Sequence, residues 1–475
     1  MKLSYLAVIA ALLLALSPAH ANPRKSKRPA NRPAATAPAK PAKPAAATAA
    51  AATAAVAAGA AASSAAEPAA PAAQPLDPNA PRPQAVPRPA APGSAQPGAG
   101  PTPPPPAIDA KAWLLMDYAS GQVLAGDNID TRVAPASITK VMTSYVVSAE
   151  LAQGKIKLDD AVTISENAWR GGGAGTDGST SFLQLGSKVP LKDLLYGMII
   201  QSGNDAAIAL AEFVAGSEAT FAQLMNQYAQ RLGMTGTHYM DASGLPNPDH
   251  YTTAHDVALL SRALIHDYPE EYKVYAVKDF EWNGIKQHNR NTLLWRDDTV
   301  DGIKTGHTSE AGFCLATSAR RGDQRLIAVV MGAPSEKARA DDNQALLNYG
   351  FRFFETQKLY AAKAALVSPE LWKGATPTLA LGVAEDVLAT FPRGRYGELK
   401  ASLQLPARLV APIAQGEQVG LLKVELDGKT LLERPLIALA QGEEGGFFKR
   451  MSDGALLWWK GDAGPAVSTA APKSP

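Results

Sequence analysis

Cysteine is all but missing from this chain: Cys314 stands alone in 475 residues. No intramolecular disulfide can form, so packing must hold the folded part together. Cys314 lies in Gly312-Phe313-Cys314-Leu315-Ala316, which reads as a core strand, and a buried, inert thiol is expected there. Histidine is scarce as well. The six beyond His20 are scattered without metal-ligand spacing, so no metal is expected, and nothing calls for a cofactor. Apolar runs of membrane-spanning length are absent. Leu3–Leu16 comes close, but it is short, follows Lys2, and precedes Ala19-His20-Ala21. That pattern reads as a secretory signal over residues 1–21 rather than a spanning helix.

Acidic residues are nearly missing from residues 22–107. Glu67 and Asp77 face nine Lys and Arg there, and 21 of the 37 prolines crowd the same stretch. With almost no aliphatic residue beyond alanine, it cannot bury a core and is expected to be a disordered, basic, partly polyproline spacer. The net charge of +2 therefore hides an acidic body, with 36 bases against 42 acids in residues 108–475. No nucleic-acid partner is expected. A basic leash could touch anionic polymer or lipid.

The body itself is long enough for one large domain and a small one. Ala112–Asp117, a turn at Ala119-Ser120-Gly121 and Gln122–Ala125 read as a strand pair. Helical patterns follow at 137–151, 191–200, 205–215, 218–232 and 254–265. Strands are expected at 302–305, 312–319 and 325–333, then a helix over 337–355. This order predicts an α+β fold: one antiparallel sheet with helices and an inserted helical lobe, over residues 108–357. Residues 358–446 change character. Short alternating runs with turns such as Asp427-Gly428 predict a small all-β domain. The segment 447–460 pairs Phe447, Phe448, Trp458 and Trp459 with Lys449, Arg450 and Lys460, as an amphipathic membrane anchor would. Asp453-Gly454 interrupts it and argues against a continuous helix. Residues 461–475 are expected to be a disordered tail.

Three short motifs carry chemistry. Ser137 and Lys140 lie three apart and share one face of a helix. At a helix start, a hydroxyl sits beside unpaired backbone N–H groups. Lys140, packed among Ile138, Val141 and Met142, would lose solvation, which lowers an amine's pKa. A neutral amine beside a hydroxyl is a general base. Alone the signal is weak, since Ser-x-x-Lys arises by chance about once or twice in a chain of this length. Gln201-Ser202-Gly203-Asn204-Asp205 precedes an alanine-rich helix, where Ser202 or Asn204 could be mere caps. Asp301–Thr308 puts Lys304, Thr305 and Gly306 at a strand end.

In the order SITK, SGN, KTG, these form the signature set of penicillin-recognising serine enzymes, with Gly203 where the usual motif has Asp. The chain resembles the low-molecular-mass penicillin-binding proteins of the serine-type D-Ala-D-Ala carboxypeptidase family. DGIKTGHTSEAGF, GFRFFET, FPRGR and LDGKT extend the likeness over roughly residues 108–450. It implies a penicillin-binding, β-lactamase-like transpeptidase fold. Ser137 would be the nucleophile, Lys140 its base, and Ser202 the proton relay to the leaving D-alanine. Asn204 would bind the substrate backbone. Lys304 would face the terminal carboxylate and acidify Ser202, with Thr305 and Gly306 alongside. The N–H groups of Ser137 and His307 would form the oxyanion hole. Arg290 and Arg339 are candidates for steering the carboxylate. The implied partners are peptidoglycan stem peptides, β-lactams as inhibitors, and the inner-membrane surface through residues 447–460. The implied location is the periplasm, and the implied role is cell-wall biogenesis and shape.

Three rivals remain. A class A β-lactamase would carry a Glu-x-x-Leu-Asn loop between the second and third motifs, and none lies between Asn204 and Lys304. A D,D-endopeptidase would split crosslinks. A wall-binding scaffold without activity would not be labelled by penicillin. The letters Gly173-x-Gly175-x-x-Gly178 match a dinucleotide fingerprint without its strand and helix, and are rejected. Trp169–Phe182 is expected to be a mobile glycine-rich loop near the site.

Overall fold

The computed structural model describes residues 102–172, 178–460 and 466–470. The chain enters with β1 (Ala112–Asp117) and β2 (Val123–Asp127), and a 3-10 turn (Ala136–Ile138) leads into α1 (Thr139–Ala152). The helical lobe holds α2 (Glu166–Gly172), α3 (Leu191–Tyr196), α4 (Asn204–Ala215), α5 (Glu218–Arg231) and α6 (Ala254–Asp267). A small ladder of β3 (Ala161–Thr163) and β4 (Lys188–Pro190) lies within it. One-turn helices α7 (Pro269–Tyr272) and α8 (Leu293–Arg296) flank a hairpin of β5 (Asp279–Trp282) and β6 (Ile285–His288). Then come β7 (Val300–Thr308), β8 (Gly312–Arg321), β9 (Gln324–Ala333) and α9 (Glu336–Phe353).

The main sheet has the order β2-β1-β9-β8-β7 and is antiparallel throughout. Its central strands are apolar at nearly every position because helices cover both faces. Alternate side chains point to opposite faces of a strand. Leu114, Met116, Ile327, Val329 and Met331 join the core under α1 and α6, whereas Trp113, Leu115, Leu326, Ala328 and Val330 join the core under α9. Each of the two cores thus takes every second residue of β1 and β9. Cys314 is fully buried in β8, and burial pushes its thiol up to about 11.

The β5–β6 hairpin was not anticipated. Asn283 (φ 50°) and Gly284 (φ 74°) make its turn, and Asn-Gly supplies the two left-handed residues that a tight hairpin needs. The helix expected to reach Glu355 stops at Phe353, and β10 (Phe354–Tyr360) crosses the boundary placed after residue 357.

The remaining elements are β11 (Leu371–Trp372), β12 (Leu381–Gly382), β13 (Val387–Pro392), β14 (Lys400–Leu405), β15 (Leu409–Val410), β16 (Gln418–Leu426), β17 (Lys429–Ala438), α10 (Phe447–Lys460) and β18 (Ala466–Ala470). They enclose a separate apolar core around Leu381, Phe391, Leu403, Leu422 and Leu436. Buried hydroxyls stitch this part to the sheet. The Asp117 carboxylate accepts from Ser120 Oγ (2.8 Å) and Thr356 Oγ1 (2.6 Å), and Ser120 Oγ meets Thr390 Oγ1 at 2.7 Å.

Two expectations for the C-terminal stretch are corrected. Residues 447–460 form one continuous helix despite Asp453-Gly454. Asp453 is buried and accepts from the Lys373 N–H (2.7 Å) and Lys449 Nζ (2.8 Å), so the apparent breaker is a tertiary anchor. The tail expected to be without structure contributes β18, antiparallel to β14 and completing the sheet order β12-β17-β16-β14-β18. An unpaired strand edge is a template for any short extended segment within reach. Among the described residues no helix is long and apolar enough to cross a membrane.

Candidate active site

Three elements converge on one cleft of about 720 Å³: the 3-10 turn before α1, the start of α4, and the edge strand β7. Ser137, Ser202, Asn204, Thr305, Gly306 and His307 all line it. The helix expected from Ser137 begins at Thr139, so Ser137 sits in the tighter turn ahead of it. Ala136 there has φ 47°, a left-handed conformation that costs a non-glycine residue energy.

Lys140 is completely buried, and its Nζ reaches three acceptors. These are Ser137 Oγ (2.9 Å), Asn204 Oδ1 (2.7 Å) and the Ser243 carbonyl (2.7 Å). Burial pulls the amine down to about 7, although the Asp241 carboxylate works against that fall. An ammonium has three protons for three partners. A neutral amine must give one up. Carbonyl oxygens only accept, so the lone pair can face only the partner that carries a proton, the Ser137 hydroxyl. The geometry therefore aims the free base at one oxygen.

Ser202 (φ 67°) closes a π turn at Gly197–Gln201. Neither it nor Asn204 caps α4; the N-cap is Gly203, without a side-chain bond. Gly203 has to be glycine. A Cβ there would lie 1.9 Å from Ser181 Oγ and 2.8 Å from the Ser181 nitrogen. That is the steric reason for a glycine in the motif. Next to it, buried Asp205 accepts from Thr180 Oγ1 (2.9 Å) and from the N–H groups of Ser181 (2.8 Å), Leu183 (3.1 Å) and Ala206 (2.9 Å). Of the loop expected over Trp169–Phe182, residues 173–177 lie outside the described residues, and Gly178 and Ser179 line the cleft. Its first part, through Gly172, is helix α2, and a Cβ at Gly172 would meet the Asp205 nitrogen at 2.1 Å. Its last part hangs on Asp205. Gly173 and Gly175 of the rejected fingerprint lie outside the described residues.

On β7, Lys304 Nζ donates to Ser202 Oγ (2.9 Å) and to the Thr305 carbonyl (3.0 Å). Burial holds this amine well below its ordinary value, and the positive charges of Lys140 and Arg290 push the same way. A Cβ on Gly306 would lie 3.2 Å from the Ser137 nitrogen, so the strand runs directly beside the Ser137 turn. The His307 ring stacks on Phe313 at 4.1 Å, which suits a structural side chain. Arg339 is buried, pairs with Glu336 (2.7 Å) and donates to the Gly306 carbonyl (3.3 Å). Arg290 lines the cleft with no hydrogen bond or ion pair among the described residues. Of the two arginines, Arg290 is the one free to meet a ligand anion.

Reading the sequence missed the loop Asp241–Gly244. Ser243 supplies the third acceptor to Lys140. Asp241 Oδ1 accepts from the N–H groups of Ser243 (2.7 Å) and Gly244 (2.6 Å). Burial raises the Asp241 carboxyl, but the His250 contact and these N–H groups outweigh it and bring it to about 2. No local signal marks this loop, because the groups its carbonyls meet, Lys140 and Thr143, lie 103 and 99 residues away.

Residues 99–335 match the family model described as D-alanyl-D-alanine carboxypeptidase, and residues 354–444 match the penicillin-binding protein 5 C-terminal domain. The chain is similar to the D-alanyl-D-alanine carboxypeptidase DacC of Escherichia coli strain K12, at 48% identity over 355 residues, covering 74% of this chain and 89% of that protein. DacA of the same strain is 46% identical over 351 residues, covering 73% and 87%. Among solved structures, penicillin-binding protein 5 from Haemophilus influenzae superposes with a TM-score of 0.70 at 43% identity, covering 72% of this chain and 100% of that one. Penicillin-binding protein 6B from Escherichia coli gives 0.59 at 38%, covering 71% and 98%.

Proposed function

The chain belongs to the D-alanyl-D-alanine carboxypeptidase family, and from that membership we propose how its own residues carry the reaction. The substrate is a peptidoglycan stem pentapeptide ending in D-Ala-D-Ala. Ser137 Oγ attacks the carbonyl carbon of the penultimate D-alanine as Lys140 Nζ takes its proton. The N–H groups of Ser137 and His307 stabilise the oxyanion. The C–N bond then breaks, and the departing D-alanine nitrogen receives a proton through Ser202, which Lys304 holds and acidifies. Water hydrolyses the remaining ester on Ser137. A β-lactam acylates the same oxygen. One observation carries this reading: a buried amine, about half of it unprotonated at pH 7, whose lone pair can face only the Ser137 hydroxyl.

The test is incubation with a pentapeptide muropeptide, with its C-terminal amide and with a crosslinked muropeptide dimer, using the wild type and Lys304→Ala. Loss of one alanine supports the carboxypeptidase, whereas a split crosslink supports an endopeptidase. If Lys304 contacts the carboxylate directly, the mutation and the amide penalties will not multiply. Simple multiplication would leave Lys304 to Ser202 alone, and the unpaired Arg290 to the carboxylate.

The working place is the periplasm, peripheral on the outer face of the inner membrane, in service of cell-wall biogenesis and shape. Supporting the membrane part, α10 turns Phe448 (81% exposed), Trp458 (86%) and Trp459 (81%) to solvent beside Lys449 and Arg450. Aromatic rings with basic neighbours suit a lipid interface. Full-length protein should pellet with anionic vesicles and lose that on Trp458→Ser/Trp459→Ser; equal pelleting of both would refute it.

A further inference from the structure

His250 is 2% exposed and does not line the cleft, yet it reaches both sides of the base. Its Nε2 lies 2.9 Å from Thr139 Oγ1, the first residue of α1 and the one between Ile138 and Lys140. Its Nδ1 lies 3.2 Å from Asp241 Oδ2, with the Met240 N–H farther off at 3.4 Å and the Tyr239 ring edge-on at 5.7 Å. With Nδ1 accepting the Met240 N–H, Nε2 carries the proton and donates to Thr139 Oγ1, so the imidazole is fixed at both nitrogens with Asp241 beside it.

Asp241 in turn folds the loop that serves Lys140. It accepts the Ser243 and Gly244 N–H groups and the Ser243 hydroxyl (3.0 Å), and so aims the Ser243 carbonyl at Lys140 Nζ, 2.7 Å away. The loop also presses on the nucleophile turn. A Cβ on Gly244 (φ 88°) would lie 1.8 Å from the Ala136 carbonyl oxygen and 2.8 Å from Thr139 Oγ1. Backbone thus meets backbone where Ala136 is held in its left-handed conformation.

We propose that His250 is a positioning residue for acylation, one imidazole that locks the Ser137–Lys140 turn to the Asp241–Gly244 loop so that the Lys140 amine keeps its aim on Ser137 Oγ. The inference rests on the reading of Ser137 as nucleophile and Lys140 as base. Without the bridge, the turn and the loop can shift relative to each other, and the amine follows its carbonyl. A misplacement of about 1 Å at a reacting pair can cost on the order of 10²-fold in rate.

The experiment measures, for the full chain, the pre-covalent affinity and the acylation rate constant of a fluorescent penicillin, normalised to the sites that finally label. His250→Ala should acylate roughly 10- to 100-fold more slowly with little change in initial affinity. His250→Gln, whose amide can donate one way and accept the other, should recover to within about 5-fold of wild type. Thr139→Val removes only the hydroxyl end and should slow acylation in the same sense. A purely structural histidine would lower the melting temperature of each variant but leave the rate constant of the labelled fraction unchanged. That outcome, or a loss confined to initial affinity, overturns the proposal. If His250→Ala does not fold, Thr139→Val decides it by the same rate constant. Ser137→Ala is run alongside. Labelling of that variant would sink the nucleophile reading, whereas normal acylation by His250→Ala and Thr139→Val with an unlabelled Ser137→Ala would sink only the role of His250.

Discussion

Ser137→Ala should abolish both D-alanine release and covalent labelling by penicillin, with a loss on the order of 10⁴-fold or more, since removing a nucleophile leaves only binding and oxyanion stabilisation. Both activities pass through the same ester, so both must vanish together. The fold should survive. Ser137 is only half-buried, and its removal strips Lys140 of one acceptor among three. A change of about 1 kcal/mol, a few degrees in melting temperature, is expected. Intact-mass analysis of the protein after penicillin treatment checks it. The wild type gains one adduct and the variant none. A full adduct on the variant would move the nucleophile elsewhere.

Lys140→Arg should be nearly as damaging. A guanidinium keeps the positive charge but does not deprotonate in proteins, so it cannot take the Ser137 proton. It is also broader than the ammonium whose site is closed on every side, at 0% exposure. General-base catalysis is worth about 10²- to 10⁴-fold, and a loss near the upper end is expected because the arginine also disturbs Asn204 and Ser243. The pH profile gives an independent sign. With its pKa lowered to about 7, the Lys140 amine is protonated and useless below that pH and free above it. Wild-type acylation should therefore climb with pH, reach half its maximum near 7 and level off. The arginine variant should show no such step. A variant rate within a few-fold of wild type, or a wild-type profile that is flat between pH 6 and 8, would assign the proton to another group.

How much of this could be read in the sequence differs from residue to residue for physical reasons. The Ser137–Lys140 pair was legible because helical geometry brings i and i+3 together regardless of the rest of the chain. Strands β7, β8 and β9 were legible from their apolar runs. The Asp241–His250–Thr139 network was not, because its contacts join segments that only the folded chain brings together. Gly203 was noticed as a departure from the usual motif, yet its cause, the Ser181 side chain in the space a Cβ would fill, is a tertiary fact. The Asn283-Gly284 turn is a local signal, with both residues at positive φ as a tight hairpin requires. For α10 the local rule lost: Asp-Gly weakens an isolated helix, but the Asp453 carboxylate has partners at Lys373 and Lys449 that hold the segment helical. The same contest decided Ala466–Ala470, where a free strand edge supplied the order that composition could not.

The pairing of β18 with β14 also bears on how α10 can move. A terminal amphipathic helix joined only at its start would swing like a flap. Here the Lys373 N–H grips Asp453 midway along the helix, and the ladder from Ala401↔Ala470 to Leu405↔Ala466 takes hold again beyond it. The helix is therefore a strap fastened at two points. Its exposed aromatic side keeps a fixed attitude to the β-rich part, and seating it on a surface needs little further ordering of the chain. Weakening the second fastening, by a proline in β18 that removes a ladder hydrogen bond, would loosen the part of the helix beyond Asp453 and raise the entropic cost of seating it.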